Sequence, residues 1–165
     1  MAHVLITASD VDVRAIIGEV VREAGHVVTE VGTLTAALDA LLASGKPYIV
    51  LVDTYLDGDH MASAWLLTLA SEGFFSRHTF VLLSTDSVFR LPPVLRALRG
   101  KLALAVVNMP FDVEDLLHAV ERAAERLPPP AAEGAMSGEM ERRVVPEEGK
   151  QNEPRREKRG QQDTY

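Results

Sequence analysis

Five short apolar runs, each separated from the next by a stretch of helical periodicity, constrain this chain more than any other feature. Val4-Leu5-Ile6-Thr7, Val27-Val28-Thr29, Ile49-Val50-Leu51-Val52, Phe80-Val81-Leu82-Leu83 and Leu104-Ala105-Val106-Val107 are short and rich in β-branched residues, which marks them as strands. Nearly continuous apolar runs of this kind suit strands buried on both faces. Between them Ile16, Ile17, Val20 and Val21 recur at helical spacing, as do Leu34, Leu38, Leu41 and Leu42, and later Leu116, Leu117, Val120 and Ala124. Each group predicts a helix laying one apolar face on a sheet. Strand and helix in alternation give an α/β fold: a doubly wound, five-stranded parallel sheet with helices on both faces, joined by right-handed crossovers.

Punctuation supports these boundaries. Gly25, Gly45 and Gly100 stand where helices should end, a place that favours a residue tolerant of positive φ. Asp112, ahead of Val113-Glu114-Asp115, suits an N-cap with acids in the first helical turn. Around residues 88–99 the pattern is weaker, because Pro92 and Pro93 lack amide donors and fit a helix only near its first turn. A short or shifted element is expected there.

After Leu127, Pro128-Pro129-Pro130 halts the helical pattern, and a segment rich in Glu, Arg, Gln, Gly and Pro runs to Tyr165. The expectation is one folded domain over 1–127 and a disordered polar tail over 128–165. A chain of 165 residues, 47% of them apolar, suffices for one substantial core. Of the net charge of −7, the first part carries −6 and the tail −1. That acidity argues against a nucleic-acid surface, and the tail has no apolar periodicity from which to build a DNA-binding helix-turn-helix. The tail's Arg155-Arg156-Glu157-Lys158-Arg159 is a local basic cluster, read either as a solvated end or as a contact for an acidic partner. No run approaches the roughly 20 apolar residues of a membrane span, and the N-terminus has no charged leader before Val4. A cytoplasmic location without membrane contact is the expectation. The absence of cysteine rules out disulfides, thiolate metal sites and cysteine nucleophiles.

Doubly wound sheets hold their sites beyond the carboxyl ends of the strands, where strand order reverses. In this chain those ends are Ala8 to Asp12, Asp53 to Asp59, Ser84 to Ser87 and Asn108 to Phe111. The residues found there carry a specific likeness. Asp53 closes the run Pro47-Tyr48-Ile49-Val50-Leu51-Val52; Arg14 and Gly25 follow the first strand at set distances; Leu83-Ser84-Thr85 ends the fourth; and Met109-Pro110-Phe111 precedes Asp112 and Leu116. Residues 3–127 therefore resemble the receiver domain of bacterial two-component response regulators, which has a flavodoxin-like (βα)5 fold. The resemblance implies that Asp53 is the phospho-acceptor candidate, Ser84 the switch hydroxyl, and Met109-Pro110 the counterpart of a lysine-proline bond that is typically cis.

The chain departs from that family at the residues its chemistry needs. Two acids that help bind Mg²⁺ align with Ala8 and Ser9, and the lysine that contacts the phosphoryl group aligns with Met109, which offers neither charge nor donor. The aromatic switch position is Val106, the usual proline after the acceptor is Asp57, and the following acid-glycine pair reads His60-Met61. Asp53 itself has two readings: a functional acceptor, or an acid kept to receive hydrogen bonds from loop amides.

Two functions follow from the resemblance. In the first, the chain is an atypical receiver, or pseudo-receiver: not an enzyme, holding no cofactor, and acting as a phosphorylation-independent interaction module. Its partner, a sensor kinase or a downstream effector, would dock on the Val88–Arg126 surface, where Arg90, Arg96, Arg99 and Lys101 concentrate positive charge; a homodimer is also compatible. In the alternative, Asp53 is phosphorylated and Mg²⁺ is held by a rearranged set: Asp10, Asp53 and the backbone of Tyr55, with Asp57 and Asp59 nearby. Asp57, Asp59 and His60 also invite a metal reading, against which stands the plain one of a solvated loop. A small-molecule enzyme finds no support, since phosphate loops, nucleophile elbows and paired-histidine motifs are missing.

Overall fold

A computed structural model of the chain describes residues 1–56, 61–85, 93, 96 and 104–129. The chain divides into two units, Met1–Ala131 and Ala132–Tyr165. The first is an α/β sandwich. Its strands are β1 (His3–Thr7), β2 (Val27–Val31), β3 (Tyr48–Asp53), β4 (Thr79–Ser84) and β5 (Leu104–Asn108). All neighbours pair in parallel, in the order β2-β1-β3-β4-β5. Helices α1 (Val11–Glu23), α2 (Leu34–Ala43), α3 (Met61–Ser71) and α4 (Val113–Ala124) cover the sheet, and a 3-10 turn at Phe74–Ser76 leads into β4. Strand order reverses between β1 and β3, which places the carboxyl ends of these two strands at the switch point.

Because successive strand residues point to opposite faces, the apolar runs divide into two cores. On one face Leu5, Val50, Val52, Phe80 and Leu82 meet Leu41 of α2 and Leu66 and Leu69 of α3. On the other, Ile6, Leu51, Val81 and Leu83 meet Ile17 and Val21 of α1 and Leu116 and Val120 of α4. All six residues of β4 are buried, which accounts for a strand without polar alternation.

The five expected strands are present, each extended by one to two residues. The helical faces differ from expectation in detail: Ile16 and Leu42 are 60% and 65% exposed, while Ala37 and Ala123 lie in the core. The buried stripe passes through these alanines, whose small side chains permit close approach of helix to sheet. Gly25 has φ of 87° and ends α1 in the left-handed conformation expected of it. Gly45 does not: α2 ends at Ser44 in extended backbone, and Gly45 has no positive φ. The other positive-φ glycine among the described residues is Gly73, at the start of the 3-10 turn. Asp112 occupies the N-cap position of α4 without a side-chain capping bond, and Glu114 and Asp115 sit in the first turn.

Within the segment 88–99 only Pro93 and Arg96 are described, both helical and exposed. Gly100 and the tail from Pro130 onward lie outside the described residues. Among the described residues no helix is long and apolar enough to cross a membrane.

Candidate functional site

At the switch point the backbone does most of the positioning. β1 ends at Thr7, and Ala8 is fully buried, its N–H donating to the carbonyl of Val31 at 3.4 Å. The guanidinium of Arg14, a turn into α1, donates to the carbonyl of Ala8. Ser9 is exposed. Asp10 is the N-cap of α1, its carboxylate accepting from the amides of Asp12 at 2.9 Å and Val13 at 3.1 Å. That bonding answers two of the donors a helix start leaves open. It also commits one oxygen of the carboxylate that would have to replace the missing acids.

Asp53 ends β3 opposite Leu83 and is 8% exposed. Its carboxylate accepts from the amide of Tyr55 at 2.9 Å, and its carbonyl accepts from Leu56 at 3.2 Å. Burial raises the pKa of Asp53 above the ordinary value; the Tyr55 N–H works in the opposite direction, and the charge of Asp10 raises it further. Among these influences there is no cation. The amide of Thr54 donates to the carbonyl of Leu83 at 2.9 Å, tying the loop after β3 to β4. Tyr55 is 48% exposed, and Asp57, Asp59 and His60 lie outside the described residues.

Ser84 is fully buried at the end of β4, in register with Asn108 of β5. Its carbonyl accepts from the amide of Met109. The Met109-Pro110 bond is cis, and Met109 packs against the core formed with α1 and α4. Val106 packs against the opposite core. Asp53, Ser84 and Met109 thus stand at the ends of three adjacent strands, with a buried methyl at Ala8 on the fourth.

The donor set does not suit Mg²⁺ among the described residues. A hard divalent ion wants several oxygen ligands. Here one receiver position is a buried methyl, the next an exposed hydroxyl, and Asp10 is engaged at its helix. Among the described residues no group of three His, Asp or Glu side chains could hold a metal ion. The expected Val88–Arg126 surface is described at Pro93, Arg96 and from Leu104 onward; Arg90, Arg99 and Lys101 lie outside the described residues.

One histidine went unnoticed in the sequence. His78 lies 1% exposed just before β4, at the amino-terminal end of the strands and so across the sheet's length from the site. Its Nδ1 accepts from the amide of Tyr48 at 3.1 Å, and its ring stacks on Phe74 with centroids 5.9 Å apart. Burial, with a smaller contribution from Arg77, lowers its pKa to about 4. The signal available beforehand was only a lone histidine ahead of an apolar run.

No protein-family model matches the sequence, and no curated protein matches it. Solved structures do. NtrX from Brucella abortus is similar with a TM-score of 0.61 and 21% identity over 75% of this chain and 27% of that one. The chain thus spans about a quarter of that protein. A CheY-like response regulator receiver domain protein from Methanospirillum hungatei gives a TM-score of 0.59 and 19% identity over 70% of this chain and 88% of that one. The chemotaxis response regulator CheY4 of Vibrio cholerae gives 0.60 and 16%, over 74% and 98%. The fold is that of the response regulator receiver domain.

Proposed function

We propose that this chain acts in two-component-type signal transduction as a pseudo-receiver: a protein-interaction module whose signalling does not depend on phosphorylation of Asp53. The observation that carries this reading is electrostatic. Phosphoryl transfer to an aspartate places new negative charge in the cavity, and cations at that point stabilise it. At the family's charged positions the chain offers none: Met109 stands at the lysine position, Ala8 and Ser9 at the acid positions, the Arg14 guanidinium is turned to the carbonyl of Ala8, and the charge that shifts Asp53 is that of Asp10. In this reading the chain is not an enzyme, holds no resident cofactor and works in the cytoplasm. It signals by docking a sensor kinase or a downstream effector on the surface that includes β5 and α4.

The second reading, a working phospho-acceptor, draws on the retained acid and hydroxyl. Asp53 and Ser84 end neighbouring strands, and a hydroxyl there suits a phosphoryl oxygen. Mg²⁺ would then rely on the second carboxylate oxygen of Asp10, the one not used by the helix cap, together with Asp53 and ligands beyond the described residues.

The test is an amide NMR titration of the full chain with Mg²⁺ and then beryllofluoride. The expected result is no saturable shift at Asp53, Ser84 or the Asn108–Phe111 turn at millimolar ligand. Mg²⁺-dependent, saturable shifts there that vanish in Asp53→Asn would overturn the pseudo-receiver reading.

A further inference from the structure

We propose that the outer edge of β5, unpaired among the described residues, is a docking site for an extended, acidic segment of a partner protein, which joins the sheet there as a sixth strand. The inference rests on the reading of the chain as a protein-docking module and names how, and with what, it docks.

The backbone sets the first condition. β5 is the last strand in the order β2-β1-β3-β4-β5, and among the described residues it pairs with β4 alone. The amide of Met109 donates to the carbonyl of Ser84 and so points toward β4. In a strand the N–H and C=O of one residue face the same side, and successive residues alternate. Ala105 and Val107 therefore also face β4, while Leu104, Val106 and Asn108 turn their amides and carbonyls outward. Among the described residues no strand pairs with this edge. Unpaired edge groups of this kind are the template on which an extended segment adds to a sheet.

The surroundings set the second. A cavity of about 590 Å³ follows β5 along its whole length, from Leu104 to Asn108, with α4 as its wall. Ala119 and Ala123 line it from α4. Above them His118, Arg122 and Arg126 recur at intervals of four residues along the cavity, and one acid, Asp115, lies near its start.

Spacing and charge together select the occupant. Arg122 stands in the last turn of α4 and Arg126 in the turn that follows it; four residues of helix rise about 6 Å, which approximates their spacing, and alternate residues of a strand, which share one face, lie about 6.6 Å apart. Acidic side chains at every second position of an added strand would thus meet Arg122 and Arg126 in step, while its backbone pairs with Val106 and Asn108. A basic segment would meet the same two guanidinium groups in repulsion, so the wall discriminates as well as attracts.

The experiment uses the full chain and an end-blocked synthetic peptide, Thr-Glu-Val-Glu-Thr-Glu-Val, followed by amide NMR and hydrogen exchange. The expected result is saturable shifts in Leu104–Asn108 and slowed exchange of the Val106 and Asn108 amides on binding. Affinity should fall about tenfold in the Arg122→Glu/Arg126→Glu variant and be restored there by a peptide with Lys in place of Glu. Four results would each overturn the proposal: no saturable shift, shifts confined to other elements, equal binding of the Glu and Lys peptides to the unaltered chain, or slow exchange of Val106 and Asn108 without peptide. Concentration-dependent protection without peptide would assign the edge to a second copy of the chain instead. The response of Asp53 to Mg²⁺ and beryllofluoride is read separately. A silent Asp53 with an unoccupied edge removes this inference and leaves the pseudo-receiver reading, whereas a responsive Asp53 with an occupied edge does the reverse.

Discussion

At the scale of single residues, two buried ionisable groups at opposite ends of neighbouring strands differ in what they do for stability. Asp53 sits in a buried position where burial and the charge of Asp10 raise its pKa, against the single opposing N–H of Tyr55. An asparagine there keeps an acceptor for the Tyr55 N–H and removes the charge. Asp53→Asn is therefore expected to stabilise the fold at pH 7 by about 1 kcal/mol. Since the folded-state pKa of Asp53 lies above its ordinary 3.8, folding favours the protonated acid, and the advantage of the variant should shrink as pH falls. Urea unfolding midpoints of the two proteins at pH 7 and pH 4 check both statements. For His78 the folded pKa of about 4 lies below the ordinary 6.5. Its contribution is complete above pH 6.5 and is lost as pH falls from there toward 4, amounting to about 3 kcal/mol. His78→Phe should flatten the pH dependence of stability across that window, at the expense of an unpaired Tyr48 amide that lowers stability overall. A pH series of denaturation curves that retains its slope in the variant would show the loss to arise elsewhere.

At the scale of elements, two glycines read alike in sequence are not alike in the molecule. Gly25 holds φ at 87°, where a side chain is strained even with nothing within 4 Å of the added carbon. Gly45 has neither a positive φ nor a crowding neighbour. Gly25→Ala is expected to cost about 1 kcal/mol, and Gly45→Ala to be neutral or slightly stabilising through the unfolded chain; thermal midpoints of the two variants decide it. The strands were legible because burial on both faces removes polar residues from them, as in Thr79–Ser84. The inward stripe of the helices was less so, because Ile16 and Leu42 outweigh Ala37 and Ala123 in hydrophobicity, although proximity to the sheet favours the smaller side chains. The site positions Asp53, Ser84 and Met109 were legible through strand ends. The capping bonds of Asp10 were not, because an acid before a helix reads equally as a cap and as a ligand until its amide partners are placed. Nor was His78, whose burial depends on Tyr48 and Phe74 arriving from other parts of the chain.

At the scale of the whole molecule, both cores as described draw on residues 4–123, which motivates a test of folding without the tail. A chain ending at Ala131 is expected to unfold in one cooperative transition, followed by circular dichroism at two wavelengths; transitions that fail to coincide would place the boundary of the folding unit elsewhere. The strand order has a further consequence, which concerns how the protein is made. Synthesis delivers β4 by Ser84, but Leu116 and Val120, which complete the roof over Leu51, Val81 and Leu83, arrive only with α4, about 40 residues later. At roughly 5–20 residues per second, the emerging chain spends on the order of 2–8 s with α1 as that face's only cover among the described residues. During this interval the ribosome-bound chain presents a half-roofed apolar surface, and it is in the cell, before the protein is complete, that it most needs a chaperone.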